Sequence, residues 1–218
     1  WGVDAHNSHT NVCSSSARVG YTLWSGADRP SPDHEHAKFI LLLSSHLETG
    51  HYFNPHAQRI IDAKEKGAKI CAIDVRLSNT ASMSDMWLAP WPGTEAFLLL
   101  AVARMLLVEK LFNRDFVEQW VNWRSFLRAK CPHLSGKERT FDRFVKELIE
   151  YYARFTPQNA EAECGVPAKK IVELAREIGK AGTALATHVW RNAAAGNLGG
   201  WQVSRCLQFI VVLMGAID

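Results

Sequence analysis

The sequence predicts an α/β fold, a Rossmann-like parallel sheet flanked by helices and interrupted by a helical insertion. Three observations carry that prediction. Lys38-Phe39-Ile40-Leu41-Leu42-Leu43 is a short, continuous apolar run, the pattern of a strand buried on both faces. A second such run, Ala68 to Ile73, follows after one helix-length segment, and a strand–helix–strand unit of that length forms a right-handed parallel crossover. Thr94 to Lys110 is strongly apolar at helix length, as expected of a helix laid against such a sheet.

The elements follow in order. Residues 1–36 are polar and rich in His, Ser, Asn, Pro and Gly, with one short helix expected from Ser14 to Trp24. After the first strand, Ser44 to Phe53 reads as a loop. Asn54-Pro55 supplies an N-cap with Pro at the first helical position. His56 to Lys66 is then helical, with Ala57, Ile60, Ile61 and Ala63 inward, and Gly67 closes it. Met86-Trp87-Leu88 is a third short strand, and Arg114 to Val121 a helix after the apolar one.

From Asn122 to Arg139 the pattern loses its period and gains charge, which reads as a surface insertion. Phe141 to Phe155 is an amphipathic helix with Phe144, Leu148 and Tyr151 inward. Thr156-Pro157 starts a short helix and Val166 to Lys180 is another, ended by Gly182. Ala184 to Val189 is a last strand, and Gly200 to Met214 a final apolar helix. Three regions result: a lead-in over 1–36, an α/β domain over 37–121 and 166–218, and an insertion over 122–165.

Composition narrows the function classes. The chain is 47% hydrophobic and 22% charged, with a formal net charge of +3, ordinary for a globular core and too weakly basic to argue for nucleic acid. The five cysteines are widely spaced and odd in number. That gives neither a C-x-x-C cluster for iron–sulfur or zinc nor a disulfide scaffold. Cys71 and Cys206 read as small buried hydrophobes. Cys206 to Ile217 is too short to span a membrane, and Arg104 interrupts Phe97 to Leu107. The chain begins with Trp1, so any targeting segment is expected upstream.

The chemistry-bearing residues gather at loops that follow strands. Asp74 comes directly after the second strand, where an open parallel sheet presents carboxylates to ribose hydroxyls; a turn-forming Asp is the plainer role. Arg76 suits a phosphate or, equally, Asp85. Ser78, Asn79 and Thr80 offer hydroxyl and amide groups that also serve ordinary turns. In Pro92-Gly93-Thr94-Glu95, Gly93 permits close backbone approach and Thr94 reads as an N-cap. Glu95 would repel a phosphate at the helix tip, so a base or ribose is favoured there. Ser44-Ser45-His46-Leu47-Glu48 fills the first crossover loop without a G-x-G-x-x-G, which weighs against a nicotinamide dehydrogenase. Seven of the nine histidines lie at or before His56, yet their spacing matches no zinc motif, and they read as solvated loop residues. Cys13, in Asn11-Val12-Cys13-Ser14 near an expected helix start, is either a low-pKa thiol and soft metal ligand or a buried structural Cys.

Together these blocks resemble the catalytic subunits of the molybdopterin oxidoreductases of the dimethyl sulfoxide reductase superfamily. The resemblance runs in family order through Asn11 to Ser14, Asp33 to Leu43, Ala63 to Asp74, Arg76 to Thr80, Asp85 to Glu95 and His188 to Gly215. It implies molybdenum (or tungsten) held by two molybdopterin guanine dinucleotides per full-length protein, with two-electron redox of a small inorganic or organic substrate. By position Cys13 resembles the metal ligand, as in the polysulfide, thiosulfate and arsenate reductase branch. Ser44, Ser45, His46, Glu48, Asp74, Arg76, Ser78, Thr80, Asp85, Gly93, Thr94 and Glu95 resemble the binding site for a guanosine end. Gly199, Gly200 and Gln202 match a region near the pterin.

Two departures qualify the match. The family's Gly-x-Asn-Pro loop is replaced by Ser44-Ser45-His46, with Asn54-Pro55 downstream. Its amino-terminal [4Fe–4S] segment and carboxy-terminal pterin domain have no counterpart, so the chain reads as an internal fragment of a larger multidomain protein, inactive alone. The resemblance further implies an iron–sulfur electron-transfer subunit, with or without a membrane-anchor subunit, and a periplasmic or membrane-associated setting rather than a cytoplasmic one. The alternative is a non-catalytic cofactor- or nucleotide-binding module, a degenerate relative inside a respiratory complex.

Overall fold

The computed structural model describes residues 2, 9–28, 31–45, 47, 55–189 and 199–217, with backbone only for 9–14. Among the described residues, four strands form one sheet in the order β3-β2-β1-β4. They are β1 (Phe39–Leu43), β2 (Lys69–Ile73), β3 (Met86–Leu88) and β4 (Leu185–Val189). Every pairing is parallel, with Leu43 beside Ile73 and Val189, and Ile73 beside Leu88. All carboxyl ends therefore lie along one edge.

The two faces of the sheet follow from side-chain alternation. Phe39, Leu41, Leu43, Cys71, Ile73, Leu88, Leu185 and Val189 enter the larger cluster, with α4 (Glu95–Val108), α9 (Ala168–Ala181) and α10 (Trp201–Met214). Ile40, Leu42, Ile70 and Ala186 face the other way and meet Ile60 and Ala63 of α2 (His56–Glu65). β1 is buried at all five residues, as its continuous apolar run requires.

Most expected elements stand within a few residues of their reading. The first helix is longer, α1 (His9–Ser25), and it is not merely a polar lead-in, since Ala17 and Tyr21 are buried in the main cluster. Asn54 lies outside the described residues, and Pro55 itself occupies the capping position of α2. α3 (Asn79–Ser82) is a single turn whose cap, Ser78, accepts the Ala81 N–H. α5 (Arg114–Trp120) and α8 (Pro157–Cys164) are capped by Asn113 and Thr156, each accepting a backbone N–H.

Three expectations are corrected. Asn122 to Arg139 is not a surface insertion: it contains α6 (Trp123–Lys130), with Trp123, Leu127, Cys131 and Leu134 buried in the same cluster as the sheet. The spacing 123, 127, 131 is helical, but Arg124, Arg128 and Lys130 on the solvent side mask it. In α7 (Phe141–Tyr151) the inward stripe is Phe141, Phe144 and Leu148, while Tyr151 is 53% exposed and lies edge-on against Phe126. Ile61 is exposed too, because α2 is only half covered and turns Ile60 and Ala63 inward.

Candidate functional site at the carboxyl edge of the sheet

The edge is built from the residues that leave β1, β2 and β3. After β1, Ser44 takes φ 50°, a left-handed conformation rare for a residue with a side chain. Its N–H extends the ladder to Ile73 O at 2.9 Å. Ser45 is buried, its hydroxyl donating to Leu43 O at 3.2 Å.

After β2, Asp74 is held at three points. Its N–H donates to Leu88 O at 3.1 Å, its carbonyl accepts the Trp87 indole N–H at 2.8 Å, and its Oδ1 accepts the Arg76 N–H at 3.0 Å. Asp74 is 7% exposed, whereas Arg76 is exposed. A nearly buried acidic residue is thus followed, two positions on, by an exposed arginine whose backbone N–H it holds. Thr80 Oγ1 accepts the Leu47 N–H at 3.1 Å, tying α3 to the first crossover loop.

After β3, Gly93 takes φ 90°, a conformation glycine reaches freely. Thr94 does not cap α4 with its side chain; its hydroxyl donates to Trp91 O at 2.6 Å. Glu95 Oε2 accepts the Gly93 N–H at 2.9 Å. Burial pushes the Glu95 carboxyl up, only partly offset by backbone N–H groups.

The structure therefore brings Ser44, Ser45, Asp74, Arg76, Ser78, Thr80, Gly93, Thr94 and Glu95 to the loops at one edge, and sets Asp85 apart. Asp85 precedes β3 and lies at the amino end, where it accepts the Ile70 N–H at 2.8 Å and pairs with Lys64 at 3.3 Å. Burial opposes its ionisation, but those two partners outweigh it and hold its carboxyl below the usual range. In this position Asp85 closes the turn into β3 and pairs with Lys64, not Arg76. His46 and Glu48 lie outside the described residues. Cys13 falls at the fifth residue of α1, and its side chain is likewise outside them. Cys71 and Cys206 are buried as expected, and burial pushes the Cys206 thiol up to about 12.

Two features escaped the sequence reading. Trp87, read only as part of a strand, supplies the N–H that fixes the Asp74 carbonyl. Val189 pairs with Leu43, so the chain after β4 leaves from the same edge, although residues 190–198 lie outside the described ones. The strand order reverses between β1 and β4, and crevices at such switch points take ligands in open α/β sheets. A groove of about 770 Å³ lined by Lys110, Phe112, Arg114, Asp142 and neighbours on α7 contains none of these residues.

The histidines are not all solvated. The His36 side chain is 75% exposed, but His34 is 0% exposed because the lead-in folds onto α2 and β4. Among the described residues no group of three or more His, Cys, Asp or Glu is arranged to hold a metal ion. No described helix is long and apolar enough to cross a membrane.

No protein-family model matches the chain. Over 198 residues it is 27% identical to the molybdopterin-containing subunit of an arsenate respiratory reductase from Shewanella sp. (strain ANA-3), covering 86% of this chain and 22% of that protein. It is 28% identical over 203 residues to the dimethyl sulfoxide reductase DmsA of Escherichia coli (strain K12), covering 91% and 24%. The chain thus spans less than a quarter of the length of these curated relatives. Acetylene hydratase from Pelobacter acetylenicus shares the fold, with a TM-score of 0.78 at 17% identity over 97% of this chain and 26% of that one. Similarity along nearly the whole chain, joined to the parallel sheet, places this protein in the molybdopterin oxidoreductases of the dimethyl sulfoxide reductase superfamily.

Proposed function

We propose that this chain is the part of a molybdenum or tungsten oxidoreductase that holds the guanosine end of a molybdopterin guanine dinucleotide. The observation that carries the reading is the buried Asp74 side chain, its Oδ1 held by the Arg76 backbone N–H, with Arg76 itself exposed two residues on at the carboxyl edge. Their chemistry fits that group. Asp74 accepts from ribose hydroxyls or guanine N–H groups, and Arg76 pairs with the pyrophosphate. Gly93 lets the nucleoside approach the backbone, while Glu95 keeps phosphate away from the start of α4. The bound metal–pterin group supplies two-electron redox, which no side chain offers. Cys13 is assigned to the metal as its thiolate ligand.

In this reading the intact protein carries two such cofactors and acts on a small inorganic or organic substrate. It exchanges electrons with an iron–sulfur subunit, in a periplasmic or membrane-associated complex. The test uses the intact protein produced with cofactor supply. Molybdenum or tungsten near one per chain and guanosine monophosphate released on acid hydrolysis support the proposal. Cys13→Ala is expected to lose the metal. Asp74→Asn is expected to weaken nucleotide retention about ten-fold or more, as for a charged hydrogen bond removed. Neither metal nor guanine nucleotide in the wild type would leave the non-catalytic module as the reading.

A further inference from the structure

Three histidines from three elements pack together on the α2 face of the sheet. His34 belongs to the lead-in to β1, His56 opens α2, and His188 lies in β4 beside Leu42 of β1. The ring centroids are 5.0 Å apart for His34 and His56, 5.9 Å for His34 and His188, and 5.7 Å for His56 and His188. The His34 and His56 rings meet nearly at right angles, at 88°. His34 is fully buried, and neither of its ring nitrogens has a hydrogen-bond partner. Buried polar atoms are rarely left so, because they have given up water without replacing it.

The charges around His34 make a proton there costly. Burial is the largest effect, followed by His56; Arg59 adds to them and Asp33 opposes, and together they push the imidazole down to about 4. The Asp33 carboxylate is itself engaged by His36 Nδ1 at 2.8 Å, and Glu35 in the same loop pairs with Lys66. His56 is shifted downward as well, by burial and then by Arg59. Packed together, the His34 and His56 rings disfavour protons; separated into water, each takes one up near the ordinary imidazole value of about 6.5.

We propose that His34, His56 and His188 form a proton-operated latch that fastens the lead-in to β1 and the start of α2 onto the sheet at neutral pH and releases them in mild acid. The state that binds more protons is favoured as pH falls, so opening grows from about pH 6.5 downward. Two neighbouring rings, His34 and His56, that ionise together make the release steeper than one proton would. The latch is independent of the cofactor reading.

Hydrogen exchange measured by mass spectrometry on the intact protein, from pH 7.5 to 5.0 and corrected for intrinsic rates, tests it. Peptides covering 31–38 and 55–60 are expected to open about ten-fold or more as the pH falls, while α7, α9 and the β4 peptide 185–189 hold. The logarithm of the opening constant should change by more than one proton per pH unit. His34→Phe is expected to lower that slope by at least one proton. Should His34→Phe fail to fold, His56→Phe carries the same expectation at a less buried position. Equal exchange at both pH values, uniform opening of the whole chain, or an unchanged slope in the folded variant would each overturn the latch.

Discussion

Asp74 shows how much of a site is backbone geometry. Its N–H, its carbonyl and Oδ1 each have a partner, from Leu88, Trp87 and Arg76. The carboxylate is thereby aimed before any ligand arrives, which lowers the ordering cost of binding. Trp87 is the partner most open to test, because it is 41% exposed and contributes little to the core. Trp87→Phe keeps an aromatic side chain and removes the indole N–H, so it should cost about 1 kcal/mol. The loss is expected in nucleotide retention rather than in melting temperature. A variant that melts much earlier and retains the nucleotide unchanged would refute the positioning role. That Asp74 follows a strand was legible in the sequence. That Trp87 reaches its carbonyl was not, because the two residues meet only once β3 pairs with β2.

At the scale of elements, α1 and α10 cross so closely that Gly20 is required. A Cβ at Gly20 would collide with Ser204 Oγ, and would lie 2.5 Å from Trp201 O and 2.7 Å from the Arg205 N. Two of those atoms are backbone and cannot rotate away. Gly20→Ala is therefore expected to destabilise by about 2–3 kcal/mol despite its better helix propensity; a melting temperature equal to wild type would mean the helices are free to separate.

The segment that reads as a surface insertion makes the opposite point. Leu127 of α6 is 0% exposed in the main cluster. Leu127→Ala should cost about 2–4 kcal/mol in chemical denaturation, as for a buried leucine. A true surface loop would lose almost nothing. Charged residues on three sides of a short helix hid its stripe, whereas α4 and β1 were unmistakable because apolar residues there have no polar rivals.

For the whole molecule, the buried histidine links stability to acidity. The His34 imidazole falls from 6.5 to about 4 in the folded protein, and each unit is worth about 1.4 kcal/mol, so the effect is on the order of 3 kcal/mol. Because the folded value is depressed, this stability is fully present above pH 6.5 and is lost as pH falls towards 4. Melting temperature should drop over that window, and His34→Phe should flatten the drop. A wild-type melting temperature independent of pH there would contradict the burial of a neutral His34.

The sequence by itself determined the α/β class, most of the strand and helix grammar, and which residues follow the strands. Apolar runs, caps and the residues following strands are local signals that survive without a fold. Only the tertiary structure decided the order β3-β2-β1-β4, and that order selects which loops share an edge. It gathered Ser44, Asp74 and Gly93 there, and sent Asp85 to the opposite end to bond Ile70 and Lys64. It also drew three histidines from 34, 56 and 188 into one buried cluster. Long-range pairing has no local sequence signature, because the free energy that fixes it comes from surfaces buried between elements far apart in the chain.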